Sequence, residues 1–330
     1  MFALQPPGGY HLLQKIPLAA APRGGEYFDY IAFDAAARRI YLSHATEVQV
    51  LDADSARLVG TIAGLKRCHG IALVPELGRG FITDGARGRV VVFDLKTLKT
   101  TRRLKTAKDA DSILYDPASK RIFAFNGVPN SCTVIDPVKR RVVAMLALGG
   151  VPEQAVADGK GMVYANLADR NQVIAIDART LIIVARWPVA PAGQPVAIAM
   201  DREHRRLFIA GRNPQTLVVM HPDNGTIFGE PFPIGARVDS IIYDPETGLV
   251  ASSTGEGTIH IFHQDSPDQF SPVETVKTEY GAKTMALDPK THRLLVDTAD
   301  FEAPQGARGE KSGGQLRPKP GTFRLLIYGR

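Results

Sequence analysis

The chain has 330 residues, of which 44% are hydrophobic and 22% are charged, a composition that excludes a disordered or fibrous protein. The formal net charge of +6 permits contact with anionic partners, but the basic residues are scattered along the chain and are expected on solvated turns. No apolar run reaches the roughly 18 residues that a membrane-spanning helix needs, so no membrane span is expected.

A short apolar stretch that ends at a turn residue recurs seven times along the chain. The residues that end these stretches, called anchors below, are Asp34, Val74, Asp116, Asp158, Asp201, Asp244 and Asp288. Successive anchors are separated by 40, 42, 42, 43, 43 and 44 residues. Such a regular period is typical of a repeat architecture.

Each repeat continues with the same pattern of elements. In the first repeat a basic turn follows the anchor, then an alternating strand at residues 40–42, a third strand that ends at Asp52 and an outer strand at residues 58–62. Four short strands rich in β-branched and aromatic residues predict one propeller blade. A β-solenoid is the alternative, but four strands per unit favour radial closure. We therefore expect an all-β, seven-bladed β-propeller that forms a single domain over residues 1–330.

The last repeat lacks an outer strand of its own. Its third strand is expected at residues 323–328, and the chain ends two residues later. Residues 10–16 have the pattern of an outer strand and no blade to join. We expect them to complete the last blade, because this pairing removes two exposed sheet edges.

A long loop, rich in Gly and Pro, interrupts the last repeat at residues 298–321. It carries the basic residues Arg308, Lys311, Arg317 and Lys319. Long loops of this kind often act as lids or partner contacts. We expect it to overhang the functional site, and an insertion without a role is the alternative.

The residue five positions before each anchor begins the innermost strand of its blade. We call these seven residues the mouth ring: Asp29, His69, Asp111, Glu153, Val196, Asp239 and Lys283. Six of the seven are ionisable, although the strands they begin are otherwise apolar. Radial closure should gather them at one mouth of the central channel, where they form either a binding or catalytic site or a hydrated rim.

Carboxylates gathered at a narrow mouth repel one another. Either a cation lies among them, or some remain protonated, or Lys283 and His69 neutralise them. The expected metal ligands are Asp29, His69, Asp111, Glu153 and Asp239. Oxygen ligands favour calcium or magnesium, and ligation by His69 favours zinc, manganese or iron. No phosphate-binding or dinucleotide fingerprint occurs, so no nucleotide or organic cofactor is expected.

A second layer of polar residues lies where the second strand of each blade ends. The residues expected to bind substrate there are His44, Asp84, Asn126, Asn166 and Arg212. For each residue taken singly, the capping of a turn is the alternative role.

The sequences of two repeats are similar to those of a known family. Residues 39–43 with 48–52 and residues 161–166 with 173–177 resemble the YVTN-repeat, YncE-like propellers. The resemblance covers almost the whole chain and implies a seven-bladed propeller. The family includes binding modules, lyases and metal-dependent lactonases, so its function is only implied by analogy. Its members are mostly exported, which implies a periplasmic or extracellular protein whose leader is not present in this sequence, and a cytoplasmic protein is the alternative.

These observations predict a small-molecule site at the channel mouth of a monomer, in which a divalent metal assists hydrolysis of a lactone or ester, or a lyase step. His69 or Glu153 would move the proton, and Lys283 would pair with an anionic group. A non-enzymatic propeller that binds a protein, a peptide or a sugar is the alternative. Nucleic-acid binding is less favoured, because only Tyr27, Phe28 and Tyr30 offer aromatic rings beside basic residues. With two cysteines in different repeats, buried free thiols are expected.

Overall fold

The computed structural model describes residues 8–21, 26–302 and 317–330. These residues form seven four-stranded antiparallel sheets arranged as the blades of a β-propeller, which confirms the expected fold class. The first strand, β1 (His11–Pro17), belongs to the last blade. Within the described ranges, the only helices are three single turns of 3-10 helix at Pro75–Leu77, Gly85–Arg87 and Ala168–Arg170. None of these turns has the length or apolarity to cross a membrane.

Six blades are built from consecutive strands. Blade 1 contains β2 (Phe28–Asp34), β3 (Arg39–His44), β4 (Glu47–Asp52) and β5 (Leu58–Ala63). Blade 2 contains β6 (Cys68–Val74), β7 (Arg79–Asp84), β8 (Arg89–Asp94) and β9 (Thr100–Lys105). Blade 3 contains β10 (Ala110–Asp116), β11 (Arg121–Asn126), β12 (Ser131–Asp136) and β13 (Arg141–Ala147).

The next three blades repeat this order. Blade 4 contains β14 (Pro152–Ala157), β15 (Met162–Leu167), β16 (Gln172–Asp177) and β17 (Ile182–Pro188). Blade 5 contains β18 (Pro195–Asp201), β19 (Arg206–Arg212), β20 (Gln215–Met220) and β21 (Ile227–Pro233). Blade 6 contains β22 (Val238–Asp244), β23 (Leu249–Thr254), β24 (Thr258–Ser266) and β25 (Gln269–Lys277).

Blade 7 joins the two ends of the chain. It contains β26 (Met285–Asp288), β27 (Arg293–Thr298) and β30 (Arg324–Gly329), and β1 is its outer strand. The pairing of β1 with β30 runs from His11 opposite Gly329 to Pro17 opposite Arg324. The expected closure of the last blade by residues 10–16 is therefore confirmed.

The long loop of the last blade contains a two-stranded ribbon of β28 (Phe301–Glu302) and β29 (Arg317–Pro318). Residues 303–316 lie outside the described residues, and so do two of the basic residues expected to overhang the site, Arg308 and Lys311. The proposed role of this loop stays a prediction.

Apolar side chains fill the space between neighbouring blades. Between blades 3 and 4, Phe123 and Phe125 pack in one fully buried cluster with Ile174 and Ile176. Burial of a side chain of this size contributes roughly 1.5–3 kcal/mol. Cys68 and Cys132 are buried free thiols within two of these interblade layers, as expected.

Candidate functional site

All seven residues of the mouth ring line a single cavity of about 190 Å³. The cavity lies where the innermost strands begin, so the side chains converge from all seven blades around the central axis. The residues that complete its lining are Tyr27, Tyr30, Arg67, Asp109, Gln154 and Arg212. The convergence predicted from the anchor spacing is therefore present in the structure.

A β-bulge lies at the mouth ring in six blades. The ladder between the two innermost strands passes from Phe28 to Ile31 and so skips Asp29 and Tyr30. It skips the ring residue and the next residue in blades 2, 3 and 4, at His69, Asp111 and Glu153. In blades 5 and 6 it skips the ring residue alone, at Val196 and Asp239. A bulge re-aims a side chain and interrupts backbone pairing. This local geometry turns the ring side chains into the cavity.

Side chains of neighbouring blades replace the backbone hydrogen bonds that the ring lacks. The Thr83 hydroxyl donates to the Asp111 carbonyl at 2.6 Å, and the Ser43 hydroxyl donates to the His69 carbonyl. Ser253 likewise donates to the Lys283 carbonyl at 2.5 Å and Thr284 to the Asp29 carbonyl at 2.6 Å. Gln154 of blade 4 donates to the Asp239 carbonyl of the non-adjacent blade 6 at 2.5 Å. The mouth ring is thus held by contacts between blades as well as within them.

Asp29, His69 and Asp111 form a compact cluster of potential metal ligands, called the donor group below. Their ligand atoms all lie within 4.8 Å of one another. Nδ1 of His69 lies 2.7 Å from Asp29 Oδ2 and 3.3 Å from Asp111 Oδ1. The Tyr27 hydroxyl contacts both His69 Nδ1, at 2.8 Å, and Asp29 Oδ2, at 2.9 Å. Asp111 Oδ1 is buried, and its contact with His69 is not aligned as a hydrogen bond, so among the described residues it has no hydrogen-bond partner.

The pKa values of the three residues in the donor group shift in different directions. Burial alone would raise the pKa of Asp29, but the hydrogen bond with His69 and the charge of Lys283 lower it. Burial would likewise lower the pKa of His69, but the hydrogen bond with Asp29 and the charge of Asp111 raise it. Burial and the charge of Asp29 raise the pKa of Asp111 to about 7.

Basic side chains neutralise the part of the cavity formed by blades 5 to 7. Asp239 accepts hydrogen bonds from both Lys283 and Arg212. Burial would lower the pKa of Lys283, but the charges of Asp239 and Asp29 raise it, so this side chain is a fixed cation. Burial, together with the charges of Asp111 and Asp239, raises the pKa of Glu153 to about 8.

The five residues expected to ligate a metal therefore divide into two sets. Asp29, His69 and Asp111 form the donor group, whereas Glu153 and Asp239 line the same cavity outside it. Asp239 is engaged by two cations, so its oxygens already have partners.

Of the five residues expected to bind substrate, only Arg212 lines the cavity. His44, Asp84, Asn126 and Asn166 are fully buried away from it. Asp84 accepts bonds from the Lys66 amide and the Arg89 guanidinium, at 2.8 Å each. The reason for this difference is that the second strand lies one step out from the axis, so its last residues face neighbouring strands and blades.

The other three residues that were expected to bind substrate are also buried inside their blades. His44 is bonded to Glu26 and Gln49 and stacks on Phe323 at a ring separation of 4.1 Å. The Asn126 amide donates to the backbone and hydroxyl of Ser131, at 3.2 and 3.1 Å. Asn166, opposite the bulge of blade 4, is enclosed without a hydrogen-bond partner among the described residues.

The cavity also contains residues that the sequence reasoning did not assign to it. Tyr27, Arg67 and Asp109 lie two positions before the ring residues of blades 1, 2 and 3. They precede the innermost strands at one constant offset from the anchors, so the anchor period could have identified them. Tyr30 and Gln154 lie one position after the ring and reach the cavity because the bulge breaks the alternation.

No protein-family model and no curated protein matches this sequence. Among solved structures, a chain described as Kuenenia stuttgartiensis hydrazine synthase matches with a TM-score of 0.71 and 13% sequence identity. The match covers 81% of this chain and 91% of that chain. At this identity the likeness shows a shared fold and nothing about the chemistry of the cavity.

Proposed function

We propose that this protein is a divalent-metal-dependent hydrolase that cleaves small esters or lactones at the mouth of its channel. The observation that carries the proposal is the donor group of Asp29, His69 and Asp111, whose ligand atoms lie within 4.8 Å of one another in a polar cavity. Hydrolysis is preferred to a lyase step because the same cavity holds a carboxyl group suited to protonate a leaving alcohol.

The donor group suits a divalent cation for three reasons. Two carboxylates and one imidazole are ligand types that zinc, manganese and iron accept together. Asp111 Oδ1 is buried without a hydrogen-bond partner among the described residues, so a ligand would satisfy it. Neighbouring blades hold the backbones of all three residues through side-chain hydroxyls. A bound cation would polarise a substrate carbonyl and lower the pKa of a water molecule.

Glu153 is the proposed proton donor. Its pKa of about 8 keeps the carboxyl group protonated at neutral pH, although the cavity is open to small molecules. A general acid is most effective when its pKa lies near the working pH. Glu153 would therefore protonate the leaving alcohol and then recover a proton from water.

Lys283 and Arg212 are the proposed anchors for a polar or anionic group of the substrate. Both share Asp239 as a partner, which fixes their positions but leaves other N–H groups of each side chain available. The volume of about 190 Å³ is below the roughly 300–1,000 Å³ that is typical of ligand pockets. We therefore expect a compact substrate, part of which extends out of the mouth.

We also propose that the chain is a divergent member of the YVTN-repeat propellers and that it is exported to the periplasm or beyond the cell. The seven-fold period and the two repeats that resemble this family support the proposal. Fractionation of cells that express the full-length gene would test it, and recovery only with the cytosol would contradict the export.

The metal proposal is tested first on protein purified without chelator. We expect about one divalent ion per chain by elemental analysis, and we expect Asp111→Asn to weaken Mn²⁺ binding in calorimetry by at least about tenfold. Asp223→Asn is the control, because Asp223 pairs with Arg205 at an exposed position outside the cavity.

Hydrolysis is tested on a panel of small lactones and aryl esters with the metal-loaded protein. Glu153→Gln should retain the ion but lower kcat about 10²–10⁴-fold, since only the proton transfer is removed. Protein that binds the ion but hydrolyses none of the panel would instead be a binding propeller. Protein that binds neither Mn²⁺ nor any other divalent ion would contradict the proposal at its first step.

A further inference from the structure

Asp297 is a completely buried carboxyl group behind the mouth ring. It lies near the end of β27 in blade 7, and its side chain is 0% exposed. The pairing of Met285 with Val296 places Thr284 opposite Asp297 in the next register position. Asp297 does not line the cavity and has no part in the chemistry proposed above.

The Thr284 hydroxyl links Asp297 to the mouth ring. Its Oγ1 atom lies 2.6 Å from the Asp29 carbonyl oxygen and 2.8 Å from Asp297 Oδ1. Both distances are those of hydrogen bonds between oxygens. Asp29 needs this contact, because the bulge of blade 1 removes it from the ladder with β3.

A hydroxyl group has one proton, so Thr284 cannot donate to both neighbours. The carbonyl oxygen of Asp29 can only accept, and it therefore receives the Thr284 proton. The bond between Thr284 Oγ1 and Asp297 Oδ1 then needs a proton from Asp297. A carboxylate at this position would place two acceptor oxygens 2.8 Å apart without a hydrogen between them.

The surroundings of Asp297 favour the neutral form independently of this proton count. The only hydrogen bond of its side chain to the described residues is the one to Thr284, and Oδ2 has no partner among them. An unpaired charge in such a place is very costly. Burial raises the pKa of Asp297 well above its usual value, helped by the charge of Asp29, and outweighs the hydrogen bond with Thr284 and the charge of Lys283, which lower it.

We propose that Asp297 is a protonated positioning residue, which donates to Thr284 and through it fixes the backbone of Asp29 in the donor group. One hydrogen bond runs from Asp297 to Thr284, and the next runs from Thr284 to the Asp29 carbonyl. Its consequence for metal binding rests on the proposed function, whereas the protonation of Asp297 does not. Outer-shell partners of metal ligands typically change the affinity for the metal about 10–100-fold when they are removed.

Two matched pairs of variants test these two hydrogen bonds. Asp297→Asn keeps a donor for Thr284, whereas Asp297→Leu removes it; Thr284→Ser keeps the relay, whereas Thr284→Val removes it. We expect the Asn and Ser variants to bind Mn²⁺ within about twofold of the wild type. The Leu and Val variants should bind it at least about tenfold more weakly, and loss of affinity in the Asn and Leu variants alike would overturn the positioning role.

The protonation is read from the metal-free protein. The infrared difference spectrum between the wild type and Asp297→Asn at pH 7 should show the C=O stretch of a protonated carboxyl group. The ¹³C resonance of the Asp29 backbone carbonyl, the group that accepts the Thr284 proton, should move in Thr284→Val but not in Thr284→Ser. A carboxylate band in place of the carboxyl band would overturn the inference, even if the wild type binds Mn²⁺. If the wild type binds no metal, the proposed function fails, but the band and the resonance still decide this inference.

Discussion

The acidic side chains of the mouth differ in their protonation. Asp29 keeps its charge because His69 and Lys283 compensate it, and Asp239 is paired with two cations. Asp111 and Glu153 have raised pKa values, since burial and neighbouring negative charges disfavour a further anion. The mouth thus combines fixed charges with carboxyl groups that exchange protons near neutral pH.

The raised pKa of Glu153 has a direct effect on stability. An unfolded Glu ionises near pH 4.3, whereas folded Glu153 retains its proton up to about pH 8. Between these values the folded state binds more protons, so the stability of the wild type falls as the pH rises. In metal-free protein, Glu153→Gln should therefore gain stability relative to the wild type between pH 5 and pH 9. The gain should be at least about 1 kcal/mol, since one pKa unit corresponds to about 1.4 kcal/mol.

Urea unfolding of both proteins at several pH values measures this difference. The Asp54→Asn variant is the control, because Asp54 is exposed and pairs with Arg38, which does not titrate between pH 5 and pH 9, so its difference from the wild type should not change over that range. A Glu153→Gln difference that is the same at pH 5 and pH 9 would contradict the protonated state of Glu153.

At the scale of single elements, the bulge in the innermost strand of six blades has two effects. It turns the ring residue into the cavity, and it leaves a backbone carbonyl that the ladder does not serve. In blade 3 the Thr83 hydroxyl of the preceding blade satisfies this carbonyl at Asp111. The Thr83 hydroxyl therefore contributes both to the position of Asp111 and to the stability of the fold.

Thr83→Val should reveal this coupling, because valine has the same shape without the hydroxyl. We expect a loss of about 1–3 kcal/mol in the free energy of unfolding, since a buried carbonyl loses its partner. Thr101→Val is the matched control on the exposed outer strand β9, where the hydroxyl bond is 3.3 Å long, and it should change stability by less than about 0.5 kcal/mol. Equal effects of the two substitutions in denaturant unfolding would refute the role of Thr83.

At the scale of the whole molecule, the anchor carboxylates join neighbouring blades at the opposite end of the innermost strands. His292 of blade 7 contacts Asp244 of blade 6 at 2.8 Å, and Gln264 of blade 6 contacts Asp201 of blade 5 at 3.0 Å. At the seam where blade 7 meets blade 1, Arg38 binds both oxygens of Asp288, at 2.5 and 2.7 Å. The ring closes there through this ion pair as well as through the strand β1.

Asp288→Asn should weaken the seam in a pH-dependent way. Burial would raise the pKa of Asp288, but the hydrogen bonds from Arg38 and Thr291 lower it. A lowered folded pKa stabilises the protein above the unfolded value of about 3.9, and this stability is lost as the pH falls through the folded value. The variant should be less stable than the wild type by about 1–3 kcal/mol at pH 7, and this deficit should shrink below pH 4.

Asp54→Asn is the matched control for the seam, because Asp54 is the other partner of Arg38 but is exposed. Solvent screens that pair, so its loss should change stability much less. A deficit of Asp288→Asn that persists undiminished at low pH in denaturant unfolding would show that charge pairing with Arg38 is not its cause.

The sequence alone was sufficient to predict the seven blades, the closure by β1 and the residues of the mouth ring. The physical reason is periodicity: the register of an innermost strand repeats with the anchors, so equal offsets from the anchor occupy equal places around the axis. Tyr27, Arg67 and Asp109 also share one offset from their anchors, so the same periodicity gives them equivalent places at the mouth.

Only the tertiary structure decided which of these groups meet. It separated Asp239, which two cations engage, from the donor group of Asp29, His69 and Asp111. It also placed Asn126 inside its blade and Asp297 behind the ring. Bulges, hydroxyl relays and ion pairs between blades join residues far apart in the chain, so no local pattern of side chains specifies them.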